Sequence, residues 1–212
     1  MFRSLSIVSL SLLASTNALA GLWTVGAGNH DFFSVADAMG DGRVQDGDTI
    51  RILSGNYVGF DTGDKLLTIE PGNSPGIVNF SGNVRVRSNS TVNFEIGGLN
   101  SGLVSGPAEF DQFIVNGNVS YEGTLGVVLY GGYTPSLGNS WALIQASGTI
   151  NYSGLRNLPA LTGGLSWDVQ VVGGSSEFGA SGSSLVVSVV PAPGAAALIG
   201  LAGLATSRRR RA

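Results

Sequence analysis

Residues 47–60, GDTIRILSGNYVGF, place an apolar strand between two turns and set the expectation for the whole fold. Residues 47–48, Gly-Asp, are typical of a turn, and residues 54–56, Ser-Gly-Asn, are typical of a second one. Between them, residues 49–53 are mostly apolar and rich in isoleucine. A short apolar run bounded by turn residues predicts a β-strand.

The residues before this stretch predict one strand and one short helix. Residues 23–25, Trp-Thr-Val, form a β-type run. Phe33, Ala36 and Met39 then recur at helical spacing. We therefore expect one or two turns of amphipathic helix over residues 32–39, with these three side chains on its apolar face.

After residue 60 the chain alternates between short strands and turns rich in Gly, Asn, Ser and Pro. Several of the strands alternate apolar and polar residues, as half-buried strands do. The turn spacing suits either the coils of a solenoid or a β-sandwich. No identical repeat is visible, so a solenoid would be irregular. The predicted strands cover residues 66–70, 77–80, 84–87 and 91–96.

The opening of the chain resembles right-handed parallel β-helix proteins of the pectin-lyase-like superfamily. In those proteins a first strand and a capping helix lead to a GDTI…G-x-Y strand, which residues 47–50 and 55–57 match here. The resemblance implies a mainly β fold, namely an irregular right-handed parallel β-helix whose N-terminal helix covers the open end of the core. Residues 21–60 would form the cap and first coils of a body spanning residues 21–189. A β-sandwich remains the alternative.

The second half resembles a β-rich segment of PEP-CTERM and autotransporter-associated passenger proteins. The resemblance implies further coils over residues 106–172, with Leu125, Val127 and Leu129 forming one inward face. Residues 185–190 would be the last coil, and the Gly- and Ser-rich residues 173–184 a flexible loop or edge connection. The matching elements are residues 111–117, 123–127, 132–138, 141–144 and 164–167.

Residues 1–20, MFRSLSIVSLSLLASTNALA, are typical of a secretory signal peptide. Arg3 supplies the positive charge, and residues 5–14 form the apolar region. Ala18 and Ala20 form a small-x-small cleavage site, which predicts Gly21 as the mature N-terminus. We therefore expect export through the secretory translocon and cleavage by signal peptidase.

Residues 190–212, VPAPGAAALIGLAGLATSRRRRA, combine a Pro-bracketed motif, an apolar run and a basic cluster. A helix over residues 194–207 would reach only about 21 Å, short of the ~30 Å core of a bilayer. This predicts a short transmembrane helix with a basic stop signal that holds the chain for processing. The motif is Val190, Pro191, Ala192, Pro193 and Gly194, and the stop signal is Arg208, Arg209, Arg210 and Arg211.

This tail resembles the PEP-CTERM sorting signal of bacterial surface and extracellular proteins. Val190, Pro191 and Pro193 match the Val-Pro-Glu-Pro-type motif, whereas Ala192 stands where the usual motif has Glu. The resemblance implies that an exosortase-type membrane peptidase cuts near the motif. The protein would then be found in the cell envelope or outside the cell, after transient anchoring in the membrane by its C-terminus.

Charge and cysteine content narrow the class of protein. The segment between the two terminal signals holds all 14 acidic residues but only six of the 11 basic ones, which gives it a net charge of −8. An acidic surface argues against nucleic acid as a partner. The chain has no cysteine, so packing rather than disulfide bonds must hold an exported body together.

The residue types needed for catalysis or metal binding are sparse. His30 is the only histidine and is expected in a loop near the cap, and no cysteine nucleophile is present. Asp37, Asp41 and Asp48 fall at positions 1, 5 and 12 of a calcium-loop pattern, but Met39 occupies a position that needs an oxygen ligand. A solvated turn is the preferred interpretation, and no cofactor is expected.

Polysaccharide lyases built on β-helices bind Ca²⁺ with clustered carboxylates and use arginine or lysine as the base. Arg85 and Arg87 share one strand face by their spacing, but the nearby acids Glu70 and Glu95 are single. We therefore expect a non-enzymatic surface or extracellular-matrix protein. The alternative is a carbohydrate-active β-helix, either a lyase or a binding module, with extracellular polysaccharide as its partner. The aromatic candidates for sugar stacking are Tyr121, Tyr130, Tyr133 and Tyr152.

Overall fold

The computed structural model describes residues 20–72 and 75–194, in which the chain forms 15 strands and one short helix. The helix, α1, spans Val35–Gly40. The strands are β1 Leu22–Val25, β2 Thr49–Ile52, β3 Gly55–Val58, β4 Thr68–Pro71, β5 Ile77–Ser81, β6 Val84–Val86, β7 Thr91–Ile96, β8 Gln112–Asn116, β9 Val119–Tyr121, β10 Thr124–Leu129, β11 Ser140–Ala146, β12 Ile150–Tyr152, β13 Arg156–Asn157, β14 Leu165–Ser175 and β15 Gly179–Pro191.

Three sheets run along the molecule, and three successive coils contribute one strand to each of them, whereas the coils at the two ends have no strand in sheet C. Sheet A has the order β1-β2-β4-β7-β10-β13, sheet B the order β14-β15-β11-β8-β5-β3, and sheet C the order β12-β9-β6. All pairs in sheets A and C are parallel, as are β3, β5, β8 and β11 in sheet B. The chain is therefore a parallel β-solenoid of about four turns, which confirms the fold predicted from the sequence over a β-sandwich.

The coils differ in length. In sheet A, Ile50 pairs with Ile69, Ile69 with Val92, Val92 with Leu125, and Leu125 with Arg156. The last two intervals are the longer ones because loops 97–109 and 130–139 are inserted where the chain passes from sheet A to sheet B. These insertions hide the repeat in the sequence.

The core lies between the three sheets and is filled by the inward-facing side chains of every coil. Phe80 and Phe113 pack edge to face with ring centroids 5.1 Å apart, and Phe60 and Phe94 extend this aromatic stack. Leu125 and Val127 are buried, as their spacing predicts, and Leu129 packs partly buried against them.

Glycines allow the coils to stack closely where the chain passes from sheet B to sheet C. A Cβ on Gly117 would lie 2.6 Å from the backbone of Gly82 on the preceding coil. Beside this corner, the Asn118 N–H donates to Oδ1 of Asn83, and the Thr149 N–H donates to Oδ1 of Asn118. At this corner, three successive coils are therefore bonded to one another by asparagine side chains.

Helix α1 packs against β1 and β3 at the N-terminal end of the solenoid. Ser34 caps it by accepting the Asp37 N–H, so the helix begins later than residue 32. The predicted apolar face was wrong for Phe33 and Ala36, which are exposed, whereas Met39 packs partly buried against the core. Val35 and Ala38 are the buried residues, whereas Phe33 is 73% exposed.

The C-terminal end is closed by an antiparallel hairpin, not by a further coil. β14 and β15 pair over almost their whole length, and β15 also pairs antiparallel with β11. The strand predicted at residues 185–190 is present within β15, but it belongs to the hairpin and not to a last coil, and the loop predicted over residues 173–184 was wrong. The backbone bonds of this Gly- and Ser-rich segment are satisfied within the hairpin.

Candidate functional site

The Pro-bracketed motif, residues 190–194, begins inside the last strand of the hairpin. Val190 lies opposite Ser166 of β14, and Pro191 lies opposite Leu165. The Ala192 N–H then donates to the Gly164 carbonyl at 2.7 Å. The first three motif residues are thus bonded to the body.

The motif leaves the body after Ala192. Pro191 has no N–H to donate, and β15 ends there. Pro193 and Gly194 are exposed. We call Val190–Gly194 the exit, because it is where the chain leaves the solenoid. The arrangement presents the second half of the motif to solvent while the first half is held in the sheet.

Two loops surround the exit. Gly138 donates its N–H to Val189 O at 3.0 Å, and the Val189 N–H donates to Asn139 O at 2.9 Å. These bonds attach loop 130–139 to the strand immediately before the motif, and the Ala192–Gly164 bond attaches loop 158–164 to the motif itself. The loops belong to successive coils and occupy the same corner, between sheets A and B.

An aromatic cluster packs against these loops on their core side. Trp141 is buried, with its ring 6.2 Å from that of Tyr133 and 5.8 Å from that of Trp167. The Tyr133 hydroxyl donates to Asn139, and the Trp167 indole N–H donates to Pro159 O. The exit is therefore built on a packed part of the body.

The other predicted sorting residues are mostly outside the described residues. Ala18, the apolar run at residues 195–206 and the stop signal Arg208–Arg211 all lie there. Within the described part, Ala20 is exposed and Gly21 is the first residue bonded to the fold. Among residues 20–72 and 75–194, no helix is long and apolar enough to cross a bilayer.

Gly21 is bonded to Asp48, which the sequence placed in a solvated turn. Asp48 is in fact only 4% exposed, and it accepts N–H groups from Gly21, Gln45 and the Trp23 indole. Burial raises the pKa of Asp48, but these donors outweigh it and hold the pKa below its ordinary value. A Cβ at Gly21 would lie 3.0 Å from the Trp23 indole nitrogen, so this position favours glycine.

The three calcium candidates do not converge. Asp37 lies in the first turn of α1, Asp41 forms an ion pair with Arg43 at 2.9 Å, and Asp48 is bonded as described above. Within the described ranges, no group of three or more His, Cys, Asp and Glu side chains could hold a metal ion. His30 is exposed in the bend before α1.

The lyase candidates lie on different sheets. Arg85 is on sheet C and pairs with Glu122 at 2.9 Å. Arg87 follows the same strand and pairs with Asp61 and Asp64. Glu70 and Glu95, by contrast, are on sheet A, where Glu70 pairs with Arg51 at 2.7 Å. The predicted arginine and carboxylate partners therefore do not share a site.

The tyrosine candidates are also separated. Tyr121 is fully buried and donates its hydroxyl to Thr124 O, and Tyr152 packs beside it. Tyr133 packs over Trp141, which leaves Tyr130 as the exposed member, at 43%. They do not form a row on which a sugar chain could stack.

Sequence reasoning missed a buried carboxyl group, Asp111. It is fully buried and accepts the N–H groups of Gly76 and Glu95, both at 2.7 Å. Burial, with a smaller contribution from Glu95 and Glu70, raises the pKa of Asp111 to about 7. Because its partners are backbone groups of two adjacent coils, Asp111 is a junction between coils.

Sequence reasoning also missed a shallow groove of about 470 Å³ on the outer face of sheet B, near the start of α1. Its register places Asn56 beside Asn79 and Ser81 beside Asn116. The exposed Phe33 ring and Val58 complete a lining without charged side chains. Amides and hydroxyls beside an exposed ring can bind neutral polar ligands.

Comparison with known proteins finds no protein-family model that matches the chain and no curated protein with significant similarity to it.

Proposed function

We propose that this chain is an exported bacterial surface or extracellular-matrix protein without enzymatic activity, sorted through its C-terminal tail by an exosortase-type system. The observation that carries the proposal is the position of the motif. The solenoid ends where Val190 begins the motif, and Pro193 and Gly194 are exposed directly before the apolar run in the sequence. A membrane peptidase could therefore reach the peptide bond between Pro193 and Gly194 without unfolding the body.

The N-terminus supports the same route. Cleavage after the exposed Ala20 would leave the amino group of Gly21 at the Asp48 carboxylate, where the N–H now lies 2.5 Å from Oδ1. A charged amine in that position strengthens the contact. The mature chain would therefore begin at the first residue that the fold uses.

The test is the intact mass of the protein secreted by a bacterium that carries an exosortase-type peptidase. We expect a product that begins at Gly21 and ends near Pro193. Ala192→Glu, which restores the usual motif, should increase the processed fraction, and removal of Arg208–Arg211 should reduce it. Val58→Ala, in the body, is the matched control and should leave processing unchanged. A secreted product that retains residues 195–212 in every variant would overturn the proposal.

A second candidate function, binding of neutral carbohydrate, is favoured by the groove on sheet B. Its lining of amides, serine hydroxyls and one exposed ring has the chemistry of a sugar-binding surface, and it carries no charge that would favour a charged polymer. Retardation in gels containing neutral or acidic polysaccharides tests this function. We expect retardation by a neutral polymer that Phe33→Ala and Asn79→Ala reduce and Leu66→Ala does not. Equal mobility of all four proteins would argue against it.

A further inference from the structure

The two loops that surround the exit carry no charged side chain. Loops 130–139 and 158–164, which we call the exit surface, contain no Asp, Glu, Lys, Arg or His. The uncharged stretch is long, since residues 123–155 contain none of these residues either. On the adjoining loop, the Glu109 carboxylate accepts the N–H groups of Leu99 and Asn100, so it is hydrogen-bonded within that loop.

The exit surface lies close to wherever the tail is held. Ala192 is bonded to Gly164, and only Pro193 and Gly194 separate it from the apolar run that starts at residue 195. The three residue steps from Ala192 to residue 195 span at most about 11 Å. If the apolar run enters a bilayer, loops bonded at Val189 and Ala192 must therefore lie against the headgroups.

The composition of the exit surface fits that position. The body is acidic, with a net charge of −8, and acidic groups are repelled by anionic headgroups. The exit surface offers instead an apolar side chain, Leu137, that is 59% exposed, together with Tyr130 at 43%. Tyrosine is favoured at the boundary between membrane and water.

We propose that the exit surface rests on the lipid headgroup region while the tail holds the chain in the membrane. This inference rests on the tethered form in the proposed function, and it adds a contact between lipid and the folded body. The body would stand with its C-terminal end on the membrane and its charged N-terminal coils in water. The short connection at Pro193–Gly194 favours lipid as the occupant over a second copy of the chain.

Single-cysteine labelling tests the contact, because the chain has no native cysteine. The full-length chain, recovered from the membrane fraction of an expressing bacterium, carries an environment-sensitive fluorophore at Leu137→Cys or Val58→Cys. Position 58 is the matched control for position 137, since the native side chains are 60% and 59% exposed. Each protein is reconstituted into vesicles of phosphatidylethanolamine and phosphatidylglycerol that contain lipids with a quencher near the headgroup.

We expect the label at position 137 to shift to shorter wavelength and to be quenched several-fold more than the label at position 58. Equal quenching of the two labels in protein that co-sediments with vesicles would overturn the contact and leave the tethered tail intact. Protein that does not co-sediment would overturn both the tethering and the contact. Protection of position 137 that depends on protein concentration in detergent, without lipid, would assign the surface to a second copy and overturn the inference.

Discussion

The two ends of the solenoid are stabilised by different chemistry. Residues 20–122 carry all but three of the charged side chains in residues 20–194, the exceptions being Arg156, Asp168 and Glu177. The ion pairs found among the described residues all lie between residues 41 and 122. The C-terminal end has no ion pair among its described residues and is completed by an antiparallel hairpin, whereas aromatic packing and glycine corners occur in both halves.

This difference matters because a solenoid is quasi-one-dimensional. Each coil contacts mainly its neighbours, so each end can be stabilised and used independently. A charged N-terminal end remains solvated, whereas a C-terminal end with only three charged residues can lie close to another surface. The position of the exit at this sparsely charged end connects the asymmetry to the proposed sorting.

Trp141→Ala should have the largest effect on stability. The side chain is 1% exposed and donates its indole N–H to Gly98 O, so its removal leaves a cavity beneath the exit. We expect a loss of about 3–5 kcal/mol in the free energy of unfolding, measured by urea denaturation.

Phe80→Ala, which removes the centre of the aromatic stack in the N-terminal half, is the matched comparison. Hydrogen exchange should locate the damage of Trp141→Ala in β11 and β15, and that of Phe80→Ala in β3 and β5. A uniform loss of protection in both variants would show that the two ends unfold as one unit and are not stabilised independently.

Gly117→Ala should destabilise the corner that joins the two halves. Its Cβ would lie 2.6 Å from backbone atoms of Gly82, which cannot move without displacing a whole coil. Overpacking of this kind costs about 1–3 kcal/mol. Gly42→Ala is the control, because a Cβ there meets nothing within 4 Å. The corner has no steric role if the two variants melt at the same temperature.

These corners also show what sequence reasoning could and could not find. The strands were predictable because inward and outward residues alternate, and β7 has the bounds that the sequence predicted. The repeat of Gly59, Gly82, Gly117 and Gly148 was not recognised. Loops of different length separate these glycines, so the coils have no constant period.

The hairpin was missed for a different reason. Residues 173–184 are mostly Gly and Ser, whose small side chains show no apolar alternation. They form strands because β14 and β15 satisfy each other's backbone groups, which is a tertiary effect. The Pro-bracketed motif at residues 190–194 was visible in the residue types. The loops that surround it could not be predicted, because they come from different coils.

Asp111 should make the free energy of unfolding depend on pH. It lies near residue 122, where the more highly charged part of the chain ends. Its pKa is raised to about 7 in the folded protein, so between the unfolded value and 7 the folded state binds a proton that the unfolded state has lost. Stability from this group therefore falls as pH rises through that window, by about 2 kcal/mol between pH 5 and 6.5.

Urea denaturation at these two pH values checks the sign. Asp111→Asn cannot ionise and should remove most of the slope, although it should also be less stable because one amide group must face a backbone N–H. Asp48→Asn is the comparison, since the pKa of Asp48 is lowered and its stabilising charge is lost only in more acidic solution. An unchanged slope in Asp111→Asn would assign the pH dependence to other groups.

The ion pair between Arg85 and Glu122 should have the smallest effect, and it tests whether charge stabilises one end only. The side chains are 47% and 38% exposed and connect adjacent coils of sheet C at 2.9 Å. Exposed pairs of this kind contribute about 0.2–1 kcal/mol, and salt screens them. A double-mutant cycle with Arg85→Ala and Glu122→Ala should therefore give a small coupling energy that disappears in concentrated sodium chloride.

The same salt should reduce hydrogen-exchange protection in β6 and β9 and leave β14 and β15 unchanged, because the hairpin has no ion pair among its described residues. Equal sensitivity of both regions to salt would mean that the asymmetry of charge is not an asymmetry of stabilisation.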